Sequence, residues 1–312
     1  MEFQRLPRFT RTPPVGLIDL GFRDRQIIRV IHRHRFLRSS HIVSLIAGSR
    51  QGIVRRLQSL YHHGYVERPR AQLEYYHKHG SRQIVYGLAD KGARLIRREK
   101  RLGERYVRWS EKNRNVERMY LKHALLVSDF MVALELACRE RNIRLLTEED
   151  LQVRGKEKPF QWRVNVTPQV RLAITPDRVF ALEWVAQTGK SERAYFFLEA
   201  DRGTMPVVRK NLLQTSFVRK LVAYEATWLQ RIHEKRFGFH RFRVLTVTTG
   251  AARVKSLVEA CSQLKHGHGQ FLFTDTSNLE KPRELFSHVW QTGRAGETST
   301  LLTQDGHRSK DC

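Results

Sequence analysis

Residues 49–64 read SRQGIVRRLQSLYHHG, and this stretch decides the first half of the fold. Ser49 is a helix-capping residue type, able to accept a hydrogen bond from an otherwise unpaired amide of the first turn. Ile53, Leu57, Leu60 and Tyr61 then recur at i, i+4, i+7 and i+8, which is one apolar stripe along an α-helix. Gly64 supplies the stop. On the other side, Gln51, Arg55, Gln58 and His62 follow at i, i+4, i+7 and i+11, so a helix projects all four from one line. Gln and Arg are the side chains that make paired hydrogen bonds to base edges in the DNA major groove.

Outward from this helix, Phe22 to His34 carries Ile27, Val30 and Ile31 on one helical face, and Phe36-Leu37 reads as a short extended link. Ser39 or Ser40 caps a second helix with Ile42, Leu45 and Ile46 on one side, and Gly48 ends it. Downstream, Tyr65-Val66 and Ile84 to Leu88 read as two strands around a long polar tip containing Arg68, Arg70, His77, Lys78 and Arg82. Three short helices followed by a basic hairpin predict a winged helix-turn-helix over residues 22–100, preceded by a flexible basic arm, residues 1–21. An ordinary three-helix bundle with a charged solvent face is the alternative. In the winged-helix reading Gln51, Arg55 and Gln58 face bases, whereas Arg50, Arg56, Arg70, Lys78 and Arg82 face phosphates.

Charge points the same way. The 312 residues hold 57 Lys and Arg against 31 Asp and Glu, a formal +26, and residues 1–110 hold 24 against 8, or +16. Such a concentrated excess implies a polyanionic partner, and double-stranded DNA is the one these residue types fit. A generically basic surface facing anionic lipid or ribosomal RNA is the plainer alternative. Direct RNA recognition finds no aromatic-rich motif to support it. No run approaches the roughly 18 to 20 apolar residues of a membrane span, and Met1 to Pro14 lacks the apolar core of a secretory signal. The expectation is a cytoplasmic protein with no membrane partner. Cys138, Cys261 and Cys312 form no CxxC pair, and the histidine pairs His62/His63, His77/His79 and His266/His268 lie in basic, Gly-containing segments, so a zinc site is not supported.

The second half reads differently. Residues 101–120 are charged and poor in apolar side chains, as a linker or connecting helix. From Leu121 to Cys138 the chain turns apolar enough for a helix buried on most sides, which opens a second domain over residues 121–290. Strands are predicted at Ile143 to Val153, Phe160 to Val166, Val170 to Trp184, Arg193 to Ala200, Phe242 to Thr248 and Phe271 to Thr274. Helices are predicted at Val208 to His233 and Ala251 to Leu264. This order gives an α/β sandwich with a mixed sheet, and the whole chain an α+β or α/β class. Residues 291–312 read as a disordered tail.

Carboxylates inside apolar strands need a reason in so basic a chain, because an unpaired buried charge is costly. Asp177 follows Pro176 in ITPDRVFAL, and Glu199 and Asp201 stand in AYFFLEADRGT, two apart and therefore on one strand face. Clustered acids hold Mg²⁺ or Mn²⁺, which activates water and stabilises charge on a phosphate. The pattern resembles the PD-(D/E)xK nuclease core. The cluster makes Asp177, Glu199 and Asp201 candidate metal ligands; the resemblance implies that Asp177 and Glu199 hold the metal, in a catalytic set completed by a lysine. Asp201 stands where that lysine belongs, and Lys220 or Lys210 is the substitute, Lys220 lying one turn from Tyr224. The rival is that Asp177 and Glu199 pair with Arg178, Arg202 or Arg209. An active nickase, an inactive nuclease-like domain and an unrelated α/β domain all stay open. Asp129 and Glu135 are either a further ligand or helix-packing contacts.

Taken in order behind a winged helix, HALLVSDFMVALELA, TPDRVFAL, FFLEADRGTMP, RKLVAY and FRVLTVTT resemble the replication-relaxation family of bacterial plasmid and mobile-element proteins, over roughly residues 22 to 290. The resemblance implies a role in plasmid or mobile-element DNA replication or relaxation. Apart from a possible Mg²⁺ or Mn²⁺, no small-molecule cofactor is expected. The alternative from another class is a transcriptional or copy-number regulator whose second domain serves dimerisation or assembly, for which a homodimer is the natural form.

Overall fold

The computed structural model describes residues 8–12, 16–73, 83–101, 108–152, 160–186, 188–211 and 214–302. The chain divides into two compact units, Met1–Val132 and Ala133–Cys312.

In the first unit α1 (Phe22–His34), β1 (Phe36–Arg38), α2 (Ser39–Leu45), α3 (Arg50–His62), β2 (Val66–Glu67) and β3 (Val85–Leu88) follow one another, then α4 (Asp90–Lys100) and α5 (Trp109–Arg114). The apolar stripes meet in one core, where Ile27, Ile31, Ile42, Ile53, Leu57 and Leu60 are fully buried. Ser49 caps α3 by accepting from the Gly52 amide. The three strands pair antiparallel in the order β1-β3-β2, with Phe36 opposite Gly87 and Val66 opposite Leu88. The short extended link is therefore a true strand, held because Phe36 and Leu37 are fully buried. Gly92 of α4 sits against the Tyr65 carbonyl, where a Cβ would come within 2.2 Å, so the helix can approach β2 only without a side chain there.

The segment read as a linker is partly built into this unit. Asn113 of α5 is buried and donates to the Leu88 carbonyl at 2.8 Å. Arg114 and Arg11 both reach the buried Glu67 of β2, at 3.2 and 2.9 Å. A carboxylate inside the small sheet needed cationic partners, and the arm and α5 supply them.

Helix α6 (Arg118–Glu140) runs from the first unit into the second. After it come β4 (Arg144–Leu146), α7 (Glu148–Leu151), β5 (Trp162–Asn165), β6 (Arg171–Ile174), β7 (Arg178–Val185) and β8 (Ser191–Ala200). The chain continues through α8 (Phe217–Leu229), α9 (Ile232–Phe237), β9 (Arg243–Thr248), α10 (Ala251–Cys261), β10 (Phe271–Asp275), β11 (Trp290–Thr292) and β12 (Thr298–Ser299). Seven strands form one mixed sheet, ordered β12-β11-β10-β9-β8-β7-β4, in which β8, β9 and β10 run parallel and the outer pairs antiparallel. β5 and β6 make a separate hairpin. The hairpin, α8 and α10 pack over an aromatic core in which Phe197 of β8 lies 5.1 Å from Trp162, 5.0 Å from Phe242 and 5.7 Å from Tyr224, between ring centroids.

Four boundaries differ from the sequence reading. The strand expected over Ile143 to Val153 breaks after Leu146, because Thr147 and Asp150 form a capping box that starts α7. The strand expected over Val170 to Trp184 is two strands in two sheets, parted at Pro176, which has no amide for a ladder. The long helix from Val208 begins only at Phe217, where Ser216 caps it, and it ends at Leu229 before a second short helix. Residues 291–302 are not a loose tail. β11 and β12 extend the sheet, with Trp290 fully buried and Leu301 1% exposed. Among the described residues, no helix is long and apolar enough to cross a membrane.

Candidate functional site

Two surfaces carry the functional residues, one in each unit. On α3 the polar stripe is presented as the spacing requires as far as Gln58: Gln51, Arg55 and Arg50 are exposed and Gln58 is half-buried. Arg70, in a short 3-10 turn after β2, is exposed as well. Two members of the expected set are occupied elsewhere. Arg56 donates from Nε and Nη2 to the two carboxylate oxygens of buried Asp24, and to the Asp19 carbonyl, so it fastens α3 to α1. His62 is buried, its Nδ1 accepting from the Thr12 amide at 3.0 Å, because the N-terminal arm crosses that end of the stripe. Lys78 and Arg82, expected in the wing, lie outside the described residues.

His62 also carries a pH prediction. Burial, then the neighbouring Arg68 charge, lowers its pKa. Burial lowers His233 and His288 too. For a histidine whose folded pKa lies below the unfolded value of 6.5, the unfolded chain takes up the proton first. Stability is therefore complete above pH 6.5 and declines as pH falls below it. Urea midpoints measured from pH 7.5 to 5.5 follow this contribution. Burial raises the Glu148 and Glu199 carboxyls, which act in the opposite direction, so the check is the difference from His62→Gln: that variant should lose less stability on acidification, and identical profiles contradict the assignment.

In the second unit β8 delivers Glu199 and the chain just beyond it delivers Asp201, on one face as the period of two requires. Asp177, immediately before β7, accepts from the Ala200 amide at 2.8 Å and donates its own amide to the Leu198 carbonyl at 3.0 Å, so it stands beside the same strand end. Glu199 is 2% exposed. Its Oε1 accepts from the Tyr224 hydroxyl at 2.6 Å and its Oε2 from the Lys220 ammonium, both groups on α8. Asp201 accepts from Arg253 of α10 in a fork, Nε to Oδ2 at 2.7 Å and Nη2 to Oδ1 at 3.1 Å, and from the Thr248 hydroxyl at 2.9 Å. Arg253 Nη2 also donates to the Met205 carbonyl at 2.6 Å. Lys210 is exposed in an irregular segment, so Lys220 is the lysine that meets the acids. Glu199 and Lys220 line a cavity of about 240 Å³ together with Arg219, Ser216 and Thr215.

The electrostatics favour a held proton. Burial pushes the Glu199 carboxyl up, against the pull of Lys220. Burial also works against the Lys220 ammonium, yet the Glu199 and Asp177 carboxylates raise its pKa above the ordinary value. Tyr224 is raised well above its ordinary value, by burial and then by the Glu199 charge. All three directions mean that the group retains its protons more tightly than its members would alone. A lysine serving as a base needs the opposite shift.

Both oxygens of Glu199 and both of Asp201 accept from neighbouring groups. Among the described residues, no three His, Cys, Asp or Glu side chains are grouped to hold a metal. Glu199 pairs with Lys220 rather than with Arg178, Arg202 or Arg209, and Asp201 pairs with Arg253. Asp129 pairs with Arg38 and His41, and Glu135 with Arg139, as helix contacts.

A family model described as replication-relaxation matches residues 28–241. The chain belongs to the replication-relaxation family. Membership supports a role in the replication or relaxation of mobile elements. No curated protein and no solved structure matches the chain. The matched span contains α3, Asp177, Glu199, Asp201, Lys220 and Tyr224, whereas Thr248 and Arg253 fall beyond it. Those last two are the site residues that sequence reading missed. Each is more than 40 positions from Asp201, and only the parallel β8–β9 pairing brings them back to it.

Proposed function

We propose that this replication-relaxation protein grips duplex DNA through a winged helix in its first unit, and that its second unit is a nuclease-like core kept for binding or assembly rather than cutting. The observation that carries the first half is the exposed polar stripe of α3, held over a sheet in which β1 pairs with β3, the strand order of a winged helix. Gln51, Arg55 and Gln58 would meet base edges in the major groove, and Arg50 and Arg70 the phosphates. Arg56 has no part in this, being committed to Asp24.

Two substitutions separate the roles. Arg55→Ala is expected to relax preference at one base position, by about 1–3 kcal/mol of discrimination. Arg70→Ala should weaken all duplexes alike and reduce the slope of log affinity against log salt by about one. Gel retardation of a selected site and a scrambled duplex, at three salt concentrations, measures both. Equal losses for both variants on both duplexes would remove the groove assignment. A two-fold footprint would mark a homodimer on the DNA.

The second half rests on the pairing of Glu199 with Lys220 and Tyr224, and of Asp201 with Arg253. Supercoiled plasmid incubated with Mg²⁺ or Mn²⁺ is expected to stay intact with the wild type and with Asp177→Ala alike. Nicked circles that depend on Asp177 would refute the non-cutting role and restore a metal-dependent nickase.

A further inference from the structure

Val54 stands out on α3. Every other apolar side chain of that helix, Ile53, Leu57, Leu60 and Tyr61, is at most 2% exposed, whereas Val54 is 40% exposed. A β-branched residue is a poor helix former, and at an exposed position it regains little from packing. Val54 lies three positions after Gln51 and four before Gln58, so it is the neighbour of both along the helix surface. It also directly precedes Arg55. The proposed reading face therefore has an apolar patch set among hydrogen-bonding side chains that are exposed or half-buried. A base edge offers one matching group in the major groove, the C5 methyl of thymine, which protrudes there and makes no hydrogen bond.

We infer that Val54 is a specificity-determining residue that packs against a thymine methyl within the bound site. This inference rests on the winged-helix reading and adds to it a chemical requirement on the DNA. A helix that used α3 only to follow the phosphate backbone would be indifferent to the methyl, since phosphate contacts carry no sequence information. The isopropyl group of Val54 and the thymine methyl would exclude water from each other, while Gln51 and Gln58 bond to the flanking bases. Because Val54 contributes little to the core of its own unit, its replacement leaves the fold intact.

The test uses the full-length protein and a duplex recovered by it from a randomised pool. Each thymine is replaced in turn by deoxyuridine, which removes the methyl and keeps every hydrogen-bonding group. For the wild type, at least one replacement should weaken binding about fourfold, the effect of one buried methyl. Val54→Ala should bind the original duplex about fourfold more weakly and lose its sensitivity at that position, to less than twofold. Wild-type binding that is unchanged by deoxyuridine at every position overturns the inference, and so does a Val54→Ala variant that keeps the full sensitivity. Failure to retard any duplex at low salt removes the winged-helix reading itself, an outcome distinct from binding that ignores the methyl.

Discussion

Asp201→Ala is expected to destabilise the second unit by about 3 kcal/mol, the largest single effect among the site residues. The reason is the partner it strands. Arg253 is 17% exposed in its side chain and Asp201 5%, so the fork between them is largely shielded from water. With the carboxylate gone, the guanidinium cannot escape by losing its proton, because arginine stays charged at any pH a protein survives. It would keep only the Met205 carbonyl. Removing the charge as well should recover most of the loss, so Asp201→Ala/Arg253→Met is predicted to lie within about 1 kcal/mol of the wild type. Urea unfolding followed by tryptophan emission suits the measurement, since Trp162, Trp184, Trp228 and Trp290 all belong to this unit. A single variant as stable as the wild type would mean that the fork contributes nothing and that Asp201 is free for another task.

What could be read from the chain follows from the range of the interactions. The stripe of Ile53, Leu57 and Leu60 is a pattern within one helix, and with Ser49 before it and Gly64 after it the pattern is enough to place α3 and its solvent face. It did not reveal that Thr12 covers His62 or that Asp24 binds Arg56, because those partners come from other segments. In the second unit Val170 to Trp184 holds a strand on each side of Pro176, alternating in burial before it and buried on both faces after it. Period two says that a strand exists, not which sheet receives it. The box formed by Thr147 and Asp150 is local, but it sits among Ile143, Leu145, Leu146, Leu151 and Val153, whose spacing reads as one strand. Asp177, Glu199 and Asp201 were recognisable as unusual from charge alone. Their meaning was not, because a buried acid held by a cation and a buried acid waiting for metal have the same local sequence. The distinction lay in Lys220 and Arg253, delivered by two different helices.

The same distinction gives the second large effect. Lys220→Met should destabilise the protein by about 2 kcal/mol at neutral pH, less than Asp201→Ala for two physical reasons. Lys220 is 34% exposed in its side chain, so water already screens part of the pair. In addition, the group left behind is a carboxyl, which can take a proton and become neutral. Burial and Asp177 already push Glu199 up, and without the ammonium nothing but the Tyr224 hydroxyl opposes them, so its pKa must rise further. A carboxyl whose folded pKa is raised makes the folded state bind protons more readily than the unfolded one. The penalty is therefore complete above that raised pKa and shrinks as pH falls through it toward the ordinary carboxylate range. The stability gap between wild type and Lys220→Met should narrow on acidification, and Lys220→Met/Glu199→Gln should close most of it at pH 7. A gap that is constant with pH would show that Lys220 acts through packing of its aliphatic stem. In that case Glu199 would not be the charge that the lysine is there to balance, and the case against a metal at this strand end would lose its first support.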